Sequence, residues 1–563
     1  MLFTDTMDNN YAYQGRGVAA ISHETIHSEH PPTTVISTAD LEPRITPLPP
    51  VQVEEEDLLD DEVATQDQSI GIGVFRFRFS LSSFRLGRAI SERRFSIAEA
   101  AVLLMAAYIA SRGLGVIRQS IFNAIFGAGP AANAYYAAFR LPDFLFNLIA
   151  GGALSNALIP VFISYDKDHG RRAAWRLVSL VFNIMLAALV IVLLAGELLA
   201  PAFVNHILVP GYPASVQALT TNLTRIMLVQ PLVLALGTIA TAVLSSKRQF
   251  LLPALSIAVY NFGLIGGLLV TLAIPSVGIY GPTVGVLVAA VCQVAVQVPG
   301  LIKQGLSYSF VWDIRDAGLR QVMRLLAPNA AIVVFGSAAF IIDTAFVSYL
   351  PDPASLSAQH NAYMLFYMPV ALLGQAIAQA ALPQLSALVT RGQYIRMRRL
   401  TLKVIGVALL FGIPTTLLLC LLGRPIIHII FQHGAFKKHS TDLTVLALIG
   451  YAVGLPSVIA GELMARTFYA MKDARTPLFT NILNFASHIG LIYFFLSIFF
   501  GANAVIAIPL AASGSATFEA IVLILLLYLR FRKKIAAERQ QTDHPERITE
   551  HEEQPALSGD ATS

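Results

Sequence analysis

Residues 174–199 read AWRLVSLVFNIMLAALVIVLLAGELL, and only Arg176 and Glu197 in this stretch are charged. An α-helix rises about 1.5 Å per residue, so a helix of this length can cross the ~30 Å hydrocarbon core of a bilayer. The stretch therefore predicts a membrane-spanning helix.

Similar apolar runs follow one another from about residue 97 to residue 530. The chain of 563 residues is 55% hydrophobic and 13% charged, whereas soluble domains carry about 25% charged residues. The predicted fold class is all-α, a polytopic membrane protein of about twelve transmembrane helices. The spans are predicted at 97–118, 131–163, 174–199, 217–246, 250–273, 280–301, 318–349, 355–389, 398–421, 440–468, 476–500 and 503–530.

The basic residues of the short connecting loops indicate how these spans are oriented. Lys and Arg recur in every even-numbered loop, whereas the odd-numbered loops carry only Arg424, Lys437 and Lys438, all in the ninth. Short loops rich in Lys and Arg remain in the cytoplasm. The even-numbered loops and both termini are therefore predicted to be cytoplasmic. Each basic cluster borders a span, so no nucleic-acid partner is expected.

The predicted domains are two lobes and two tails. Residues 1–95 are predicted to be a disordered cytoplasmic tail with a basic juxtamembrane segment, because most of this region is too polar to form a core. Its end, residues 75–95, is either an interfacial segment on anionic lipid or a plain juxtamembrane boundary. Residues 96–302 and 303–530 are predicted to form six-helix lobes, and residues 531–563 a disordered cytoplasmic tail.

The chain repeats its landmarks at an offset near 224 residues. The stretch PAFVNHILVPGYP from Pro201 is echoed by PIIHIIFQHGAF from Pro425. Three further pairs match within one residue of this offset: Pro231 with Pro456, Lys247 with Lys472, and Pro253 with Pro477. Tandem halves of equal topology are typical of transporters. The repeat predicts two lobes related by a pseudo-twofold axis around a central cavity.

Three arginines within the spans are candidates for substrate binding. Arg112 and Arg118 lie in the first span, and Arg140 lies in the second. A charge at the centre of the hydrocarbon core costs about 2.5–3.5 kcal/mol on insertion scales, so its position usually has a function. Guanidinium groups stay charged and match phosphate oxygens, which favours an anionic substrate. The alternative is that these arginines reach the headgroup region or pair with Asp143 or Glu197.

The second span also contains a candidate hinge. Pro142 removes a backbone donor from the helix, and Gly151 and Gly152 add backbone freedom nine and ten residues later. We expect the span to bend at these positions.

Four polar residues in the second half of the chain are buried in apolar runs. Asp343 in the seventh span is a candidate site for a coupling ion, either Na⁺ or H⁺, and its alternative is a carboxylate hydrated at the helix end. Glu462 and Arg466 are four residues apart in the tenth span and are predicted to form an ion pair. His488 in the eleventh span is predicted to be a core histidine.

No enzyme or nucleotide-driven pump is predicted. The sequence contains no GxxxxGK[ST] loop, no His/Cys metal-ligand spacing and no nucleophile elbow. No cofactor and no metal centre are therefore expected. Transport would be driven by an ion gradient, by the membrane potential or by the gradient of the substrate itself.

The order of short motifs along the chain is specific. Residues 111–163 begin SRGLGVIR and continue with FGAG, AFRLP and GALSNALIPVF, and VPGY, FQHGAF and TFYAMKDARTP follow at 209–212, 431–436 and 467–477. This order resembles the MurJ (MviN) family, the lipid II flippases of bacterial cell-wall synthesis. The family belongs to the multidrug/oligosaccharidyl-lipid/polysaccharide exporter superfamily, and the resemblance covers about residues 97–530.

The resemblance implies a function, a location and a site. Such proteins move an undecaprenyl-pyrophosphate-linked sugar across the bacterial cytoplasmic membrane by alternating access. Arg112, Arg118 and Arg140 match cavity residues of the family, and Asp343 falls on a carboxylate that binds sodium in some members. The implied partners are a lipid-linked anionic substrate, membrane lipids and cell-wall synthesis proteins.

The chain departs from the family pattern at several positions. Gln119 and Asn133 stand where the family has acids, and Phe146 and Asn147 stand where it has a basic pair. The family generally has fourteen spans, of which the last two help to form a groove for the lipid tail. Three alternatives to lipid II transport therefore stay open: a flippase for another lipid-linked glycan, a cation-coupled multidrug antiporter, and a degenerate membrane scaffold.

Overall fold

The computed structural model describes residues 97–149 and 152–543, which form helices joined by turns. The first six spans are Ile97–Phe126; Pro130–Ala138, Arg140–Ile149 and Gly152–Asp168; Gly170–Phe203; Ala214–Met227 and Gln230–Ser246; Leu251–Ala273; and Tyr280–Ala295 with Val298–Lys303. The last six are Ala317–Ser348; Ser355–Pro369 and Ile377–Thr390; Tyr394–Phe431; Lys438–Ala452 and Leu455–Ala470; Arg475–Leu496; and Ala507–Asp543. Single π-helical segments occur at Val204–Leu208 and Val370–Ala376, and 3₁₀ turns occur at Pro275–Val277 and Gly501–Ile506.

Helices occupy all twelve predicted positions, and the all-α membrane fold is confirmed. Among the described residues, eight helices are long and apolar enough to cross a membrane, or nine if the bent pair in the tenth span counts as one. The first, second and seventh spans are not among them. All the intramembrane arginines and the aspartate predicted as site residues lie on these three spans.

The second span is divided into three helices, and Phe139 lies at the first break. Pro142 lies in the first turn of the helix that follows, where a missing N–H removes no intrahelical hydrogen bond. Gly152 begins the third helix, and Gly151 lies outside the described residues. The structure therefore interrupts the span near both predicted hinge positions, and motion at these positions stays a prediction.

The internal repeat is visible in the backbone. Arg248 and Lys472 both have φ of 59°, and they are the two non-glycine residues with positive φ in the described parts of the chain. Each lies in the turn after the fourth span of its half. The two residues are 224 positions apart, and the same separation relates Asn133 to Ser357, which are hydrogen-bonded to each other. The predicted match of Lys247 with Lys472 is wrong by one residue, because the turn geometry aligns Lys472 with Arg248.

The two halves exchange equivalent contacts at the end that carries the odd-numbered loops. The Ala435 amide donates to the Ala124 carbonyl across 2.8 Å, and the Gly211 amide donates to Ser348 Oγ across 3.0 Å. In each contact, the connection after the third span of one half packs on the end of the first span of the other half. A Cβ at Gly211 would lie 2.5 Å from the Ser348 carbonyl oxygen, so this approach requires glycine.

Large apolar side chains cover much of the outer surface. Leu198, Leu421 and Phe500 are 81%, 77% and 72% exposed. Contiguous apolar surface of this kind is unfavourable in water and is favourable in contact with lipid. The distribution of side chains thus agrees with a bundle embedded in a membrane.

The last helix continues past the predicted end of the twelfth span at residue 530 and ends at Asp543. The predicted disordered tail 531–563 is therefore wrong over residues 531–543. Phe531 and Ile535 explain the extension, because they are four residues apart and are buried against helices of the second half. Residues 544–563 and the predicted tail 1–95 lie outside the described residues.

Candidate substrate cavity and coupling site

A cavity of about 300 Å³ lies between the first half of the chain and the eighth span. Two of the three predicted arginines, Arg118 and Arg140, face this space together. The cavity is lined by Arg118, Gln119, Phe122, Tyr135, Tyr136, Phe139, Arg140, Asp143, Tyr260, Leu264, Leu268 and His360. Aromatic and aliphatic walls that carry a few charged groups are typical of small-molecule sites.

Neutral groups hold the two cavity arginines. Arg118 Nη1 donates to Asn261 Oδ1 across 3.4 Å, and Arg140 Nε donates to Thr344 Oγ1 across 3.1 Å. The Arg140 guanidinium also lies 5.2 Å from the centre of the Phe340 ring, within the range of a cation–π contact. Thr344 and Phe340 belong to the seventh span, so Arg140 connects the two halves.

These neutral partners leave positive charge on the cavity wall. None of the ion pairs formed among residues 97–149 and 152–543 includes any of the three predicted arginines. Glu197, one suggested partner, pairs instead with Arg225 at 3.6 Å. Asp143, the other suggested partner, faces the cavity. The wall therefore presents two guanidinium groups and one carboxylate.

Arg112 lies outside this cavity. Its side chain is exposed, and its guanidinium lies 5.7 Å from the centre of the Tyr367 ring in the eighth span. It precedes Arg118 by six residues, which is about 9 Å along a helix, on the side of the even-numbered loops. The structure thus places Arg112 on the approach to the cavity.

A buried polar network joins the two halves beside the cavity. Gln119 Nε2 donates to Tyr136 Oη across 2.5 Å and to Asn361 Oδ1 across 2.9 Å, and Asn123 Nδ2 donates to the same Asn361 oxygen across 2.9 Å. All four side chains are buried. Buried polar groups that are satisfied in this way fix a single arrangement of the elements they connect.

Asn133 makes a second neutral contact between the halves. Its Oδ1 accepts hydrogen bonds from the Ser357 amide at 3.1 Å and from Ser357 Oγ at 2.6 Å, and its amide nitrogen donates to the Pro353 carbonyl. Gln119 and Asn133 are both uncharged. In this chain both positions hold the halves together through amide groups.

A second cavity of about 210 Å³ lies in the other half of the protein. Asp343 and His488 meet on its wall, with His488 Nε2 at 2.6 Å from Asp343 Oδ1. The two side chains are 14% and 5% exposed. The cavity is lined by Phe335, Gly336, Ala339, Phe340, Asp343, Tyr363, Tyr451, Asn481, Asn484, Phe485, His488, Ala512 and Ser515.

The pairing of Asp343 with His488 was not predicted. His488 is buried, as expected of a core histidine, but it is also the partner of the candidate ion-coupling residue. Asp343 is held by His488 and lies five residues before the end of its helix at Ser348, which argues against the alternative of a carboxylate at the helix end. Phe340 lines this second cavity and also lies under the Arg140 guanidinium, so one segment of the seventh span lines the second cavity and contacts an arginine of the first.

Comparison with known proteins places this geometry in a family. A sequence profile described as lipid II flippase MurJ matches residues 122–542. The lipid II flippase MurJ of Burkholderia cenocepacia is 29% identical over 373 residues, which cover 65% of this chain and 72% of that protein. The probable lipid II flippase MurJ of Buchnera aphidicola is 26% identical over 441 residues, which cover 77% of this chain and 83% of that protein.

Solved structures share the fold. A structure of lipid II flippase MurJ in an inward closed conformation aligns with a TM-score of 0.66 at 23% identity and covers 77% of this chain and 90% of its own. An inward-facing multidrug resistance MATE transporter of the MOP superfamily aligns with a TM-score of 0.64 at 13% identity and covers 76% and 96%. The profile spans most of the chain, and its match includes the helices that carry Arg140 and the Asp343–His488 pair. The chain belongs to the MurJ family of lipid II flippases.

Proposed function

We propose that this protein is a flippase that moves a lipid-linked pyrophosphate precursor of the cell wall, with lipid II as the first candidate. The observation that carries the proposal is the position of Arg118 and Arg140 on one cavity wall with neutral partners only. Guanidinium groups form strong, directional hydrogen bonds with phosphate oxygens. A diphosphate that enters the cavity would balance the excess of positive charge that two guanidinium groups and one carboxylate leave on the wall.

The size of the cavity supports transport by alternating access. Its volume of about 300 Å³ is at the lower limit of the ~300–1,000 Å³ typical of small-molecule sites. Such a space accepts a diphosphate but not a whole sugar–peptide headgroup, so the halves must separate to load the substrate. The contacts of Ala124 with Ala435 and of Gly211 with Ser348 close the odd-loop end. Loading would then occur from the opposite side, which the charge pattern assigns to the cytoplasm.

The coupling ion that fits the second cavity best is a proton. Hard cations prefer oxygen ligands, whereas one oxygen of Asp343 already contacts the His488 ring nitrogen. A histidine beside a carboxylate can gain or lose a proton in the physiological range. Thr344 is next to Asp343 in sequence and accepts the hydrogen bond from Arg140. Protonation of the pair would therefore act on the span that also positions a cavity arginine.

The proposed location is the bacterial cytoplasmic membrane, with the even-numbered loops and both termini in the cytoplasm. The family membership and the basic residues of the even-numbered loops support this location. The proposed partners are the lipid-linked substrate and the surrounding lipids, together with proteins of cell-wall synthesis.

Three other functions could use the same scaffold. A cation-coupled multidrug antiporter would have a similar fold, as the MATE transporter does. A cationic drug would be repelled by Arg118 and Arg140, so the cavity favours an anion. A flippase for another lipid-linked glycan would use the same diphosphate contacts, and a degenerate scaffold would need no cavity arginine.

The experiment that tests the proposal is rescue of bacteria depleted of their own lipid II flippase. The wild type is expected to restore growth, and Arg140→Ala is expected to fail at equal membrane abundance. Arg225→Ala is the matched control, because Arg225 is an intramembrane arginine of the same half that pairs with Glu197 away from the cavity. A well-expressed wild type that does not rescue would argue against lipid II as the substrate.

A further inference from the structure

One face of the eleventh span carries a line of polar side chains. Thr480, Asn484 and His488 are spaced four residues apart, so they lie above one another on one face of the helix. His488 contacts Asp343 toward one end of this line. The function proposed above does not use the other end.

The other end of the line holds a second carboxylate, Glu519 of the twelfth span. Asn484 Nδ2 donates to Glu519 Oε2 across 2.5 Å, and Thr480 Oγ1 lies 3.1 Å from Glu519 Oε1. Both partners are neutral. An acid held by neutral groups can exist as a carboxylate that accepts both hydrogen bonds, or as a protonated acid in which the hydroxyl of Thr480 becomes the acceptor.

The charged residues nearest to Glu519 do not form an ion pair with it. Arg466 lies over the Tyr469 ring at 5.7 Å, and its Nε is buried without a hydrogen-bond partner. The predicted ion pair of Glu462 with Arg466 is wrong, because no such pair occurs within the part of the chain that the structure describes. The other titratable groups that face this region from the packed helices are Glu462, Tyr469, Asp343, Tyr363, Tyr451 and His488.

The second cavity extends from the Asp343–His488 pair to the hydrogen-bond partner of Glu519, Asn484. Its wall includes Asn484 and Ser515 together with Asp343 and His488. Ser515 precedes Glu519 by one helical turn, so Glu519 lies one turn beyond this wall. The cavity has polar groups on an otherwise apolar wall, and its volume of about 210 Å³ exceeds the ~30 Å³ that one water occupies in the liquid, so it has room for several waters.

We propose that Glu519 is a second proton-binding residue of the transport cycle and exchanges a proton with the Asp343–His488 pair through this cavity. The proposal rests on the proposed function, because it concerns the proton that drives the flippase. Asn484 and Ser515 line the part of the cavity that faces Glu519. Thr480 marks the end of the route that faces the tenth loop, which the charge pattern assigns to the cytoplasm.

The proton balance of this exchange is simple. When Glu519 releases its proton to water in the cavity, its carboxylate keeps the hydrogen bond from Asn484 and accepts one from Thr480. The same proton is taken up by Asp343–His488, where it neutralises the carboxylate or charges the imidazole. The exchange is reversible. In the direction that a proton gradient drives, the Asp343–His488 pair passes its proton back to Glu519, which releases it to the aqueous phase beside the tenth loop, and no other bond forms or breaks.

The first test uses infrared difference spectroscopy on the full chain in liposomes at a series of pH values. The wild type is expected to show a protonated-carboxyl band that Glu519→Gln removes. Glu519→Asp is expected to retain a shifted band. Such a band would show that the site still titrates when the side chain is shortened by one methylene. Glu462→Gln is the matched control on the neighbouring span and is expected to keep the Glu519 band. A spectrum of Glu519→Gln identical to that of the wild type would overturn the proposal.

The second test separates the proposal from the proposed function. Lipid II transport by the same liposomes is measured with and without a pH gradient. Glu519→Gln is expected to lose the response to the gradient and to retain exchange of substrate at equal pH on both sides. If the wild type transports lipid II and Glu519→Gln responds to the gradient equally well, the role of Glu519 is refuted while the flippase function stands. If the wild type transports no lipid II, the proposed function fails, and the infrared result still decides whether Glu519 titrates.

Discussion

The ring of Tyr136 stacks on the ring of His360 at a centroid distance of 4.0 Å and an interplanar angle of 19°. The two residues occupy equivalent positions of the internal repeat, with the separation of 224 positions that also relates Asn133 to Ser357. Equivalent residues can touch each other only near the axis that relates the halves. The stack therefore marks the pseudo-twofold axis, and its neighbours form the contact that must open when the cavity is exposed to the other side.

This contact predicts that a covalent link between the halves stops transport. Asn133 Oδ1 and Ser357 Oγ are 2.6 Å apart, so the two side chains meet across the halves and are the positions at which we place a pair of cysteines for crosslinking. We expect Asn133→Cys/Ser357→Cys, in a background without Cys292 and Cys420, to lose transport under oxidising conditions and to recover it with reductant. Each single cysteine variant is the control. Full transport by the crosslinked protein would show that the halves do not separate at this end.

The cavity arginines predict a specific loss of affinity. Removing one hydrogen bond to a charged group typically costs about 1.5–3 kcal/mol, which corresponds to roughly 10- to 100-fold in affinity. We expect Arg140→Ala to weaken binding of a lipid-linked diphosphate by this factor, and Arg140→Lys to weaken it less because the charge remains. Binding of a fluorescent substrate analogue to purified protein measures the effect. Equal weakening by Arg225→Ala would assign the loss to a general disturbance of the fold.

The Asp343–His488 pair predicts transport that responds to protons and not to sodium. Replacing Na⁺ by K⁺ on both sides of a proteoliposome is expected to leave the rate unchanged, whereas an imposed pH gradient is expected to change it. Asp343→Asn and His488→Asn should each abolish the response to the pH gradient. A rate that rises with Na⁺ at constant pH would contradict this assignment.

Asp473 in the tenth loop predicts a loss of stability in acid. Its carboxylate accepts hydrogen bonds from the Thr476 amide at 3.1 Å and from Thr476 Oγ1 at 2.8 Å, and it contacts Arg530. Burial alone would raise the pKa of this carboxyl, but the hydrogen bonds from Thr476 and the charge of Arg530 outweigh burial and lower the pKa below its usual value. The stabilisation is complete above the unfolded pKa of about 3.9 and is lost as the pH falls through the folded pKa.

The matching experiment is thermal unfolding of Asp473→Asn in detergent at several pH values. At neutral pH the variant is expected to be less stable by about 1 kcal/mol, the usual cost of losing a side chain that caps a helix start. The difference in unfolding free energy between the variant and the wild type should become smaller as the pH falls below about 4. Asp442→Asn is the control, because Asp442 belongs to an exposed pair with Arg424, and such pairs contribute little. A difference that persists unchanged in acid would show that the charge of Asp473 does not stabilise the fold.

Much of the fold follows from local patterns in the sequence. The apolar runs determine the positions of the helices because each must cover the thickness of a membrane. The repeat was also readable, although turn geometry and not residue identity aligns Lys472 with Arg248. The end of the last helix was misplaced, because burial of Phe531 and Ile535 depends on contacts with distant helices.

The candidate site was predictable only in part. Arg118 and Arg140 stand out because a charge in an apolar run is rare. Asp343 stands out for the same reason, but its partner His488 is 145 residues away, and no spacing in the sequence connects the two. Gln119 is the repeat equivalent of Asp343. Its hydrogen bonds to the other half depend on how the lobes meet, so they were not visible in the sequence.

The most direct test of the central claim is the flipping of lipid II by purified protein in liposomes. The wild type is expected to carry the lipid across the bilayer much faster than protein-free liposomes do. The double variant Arg118→Ala/Arg140→Ala is expected to fall to the protein-free rate, because the cavity then has no cation for the diphosphate. Transport by the double variant at the wild-type rate would contradict the claim that these two arginines bind the substrate.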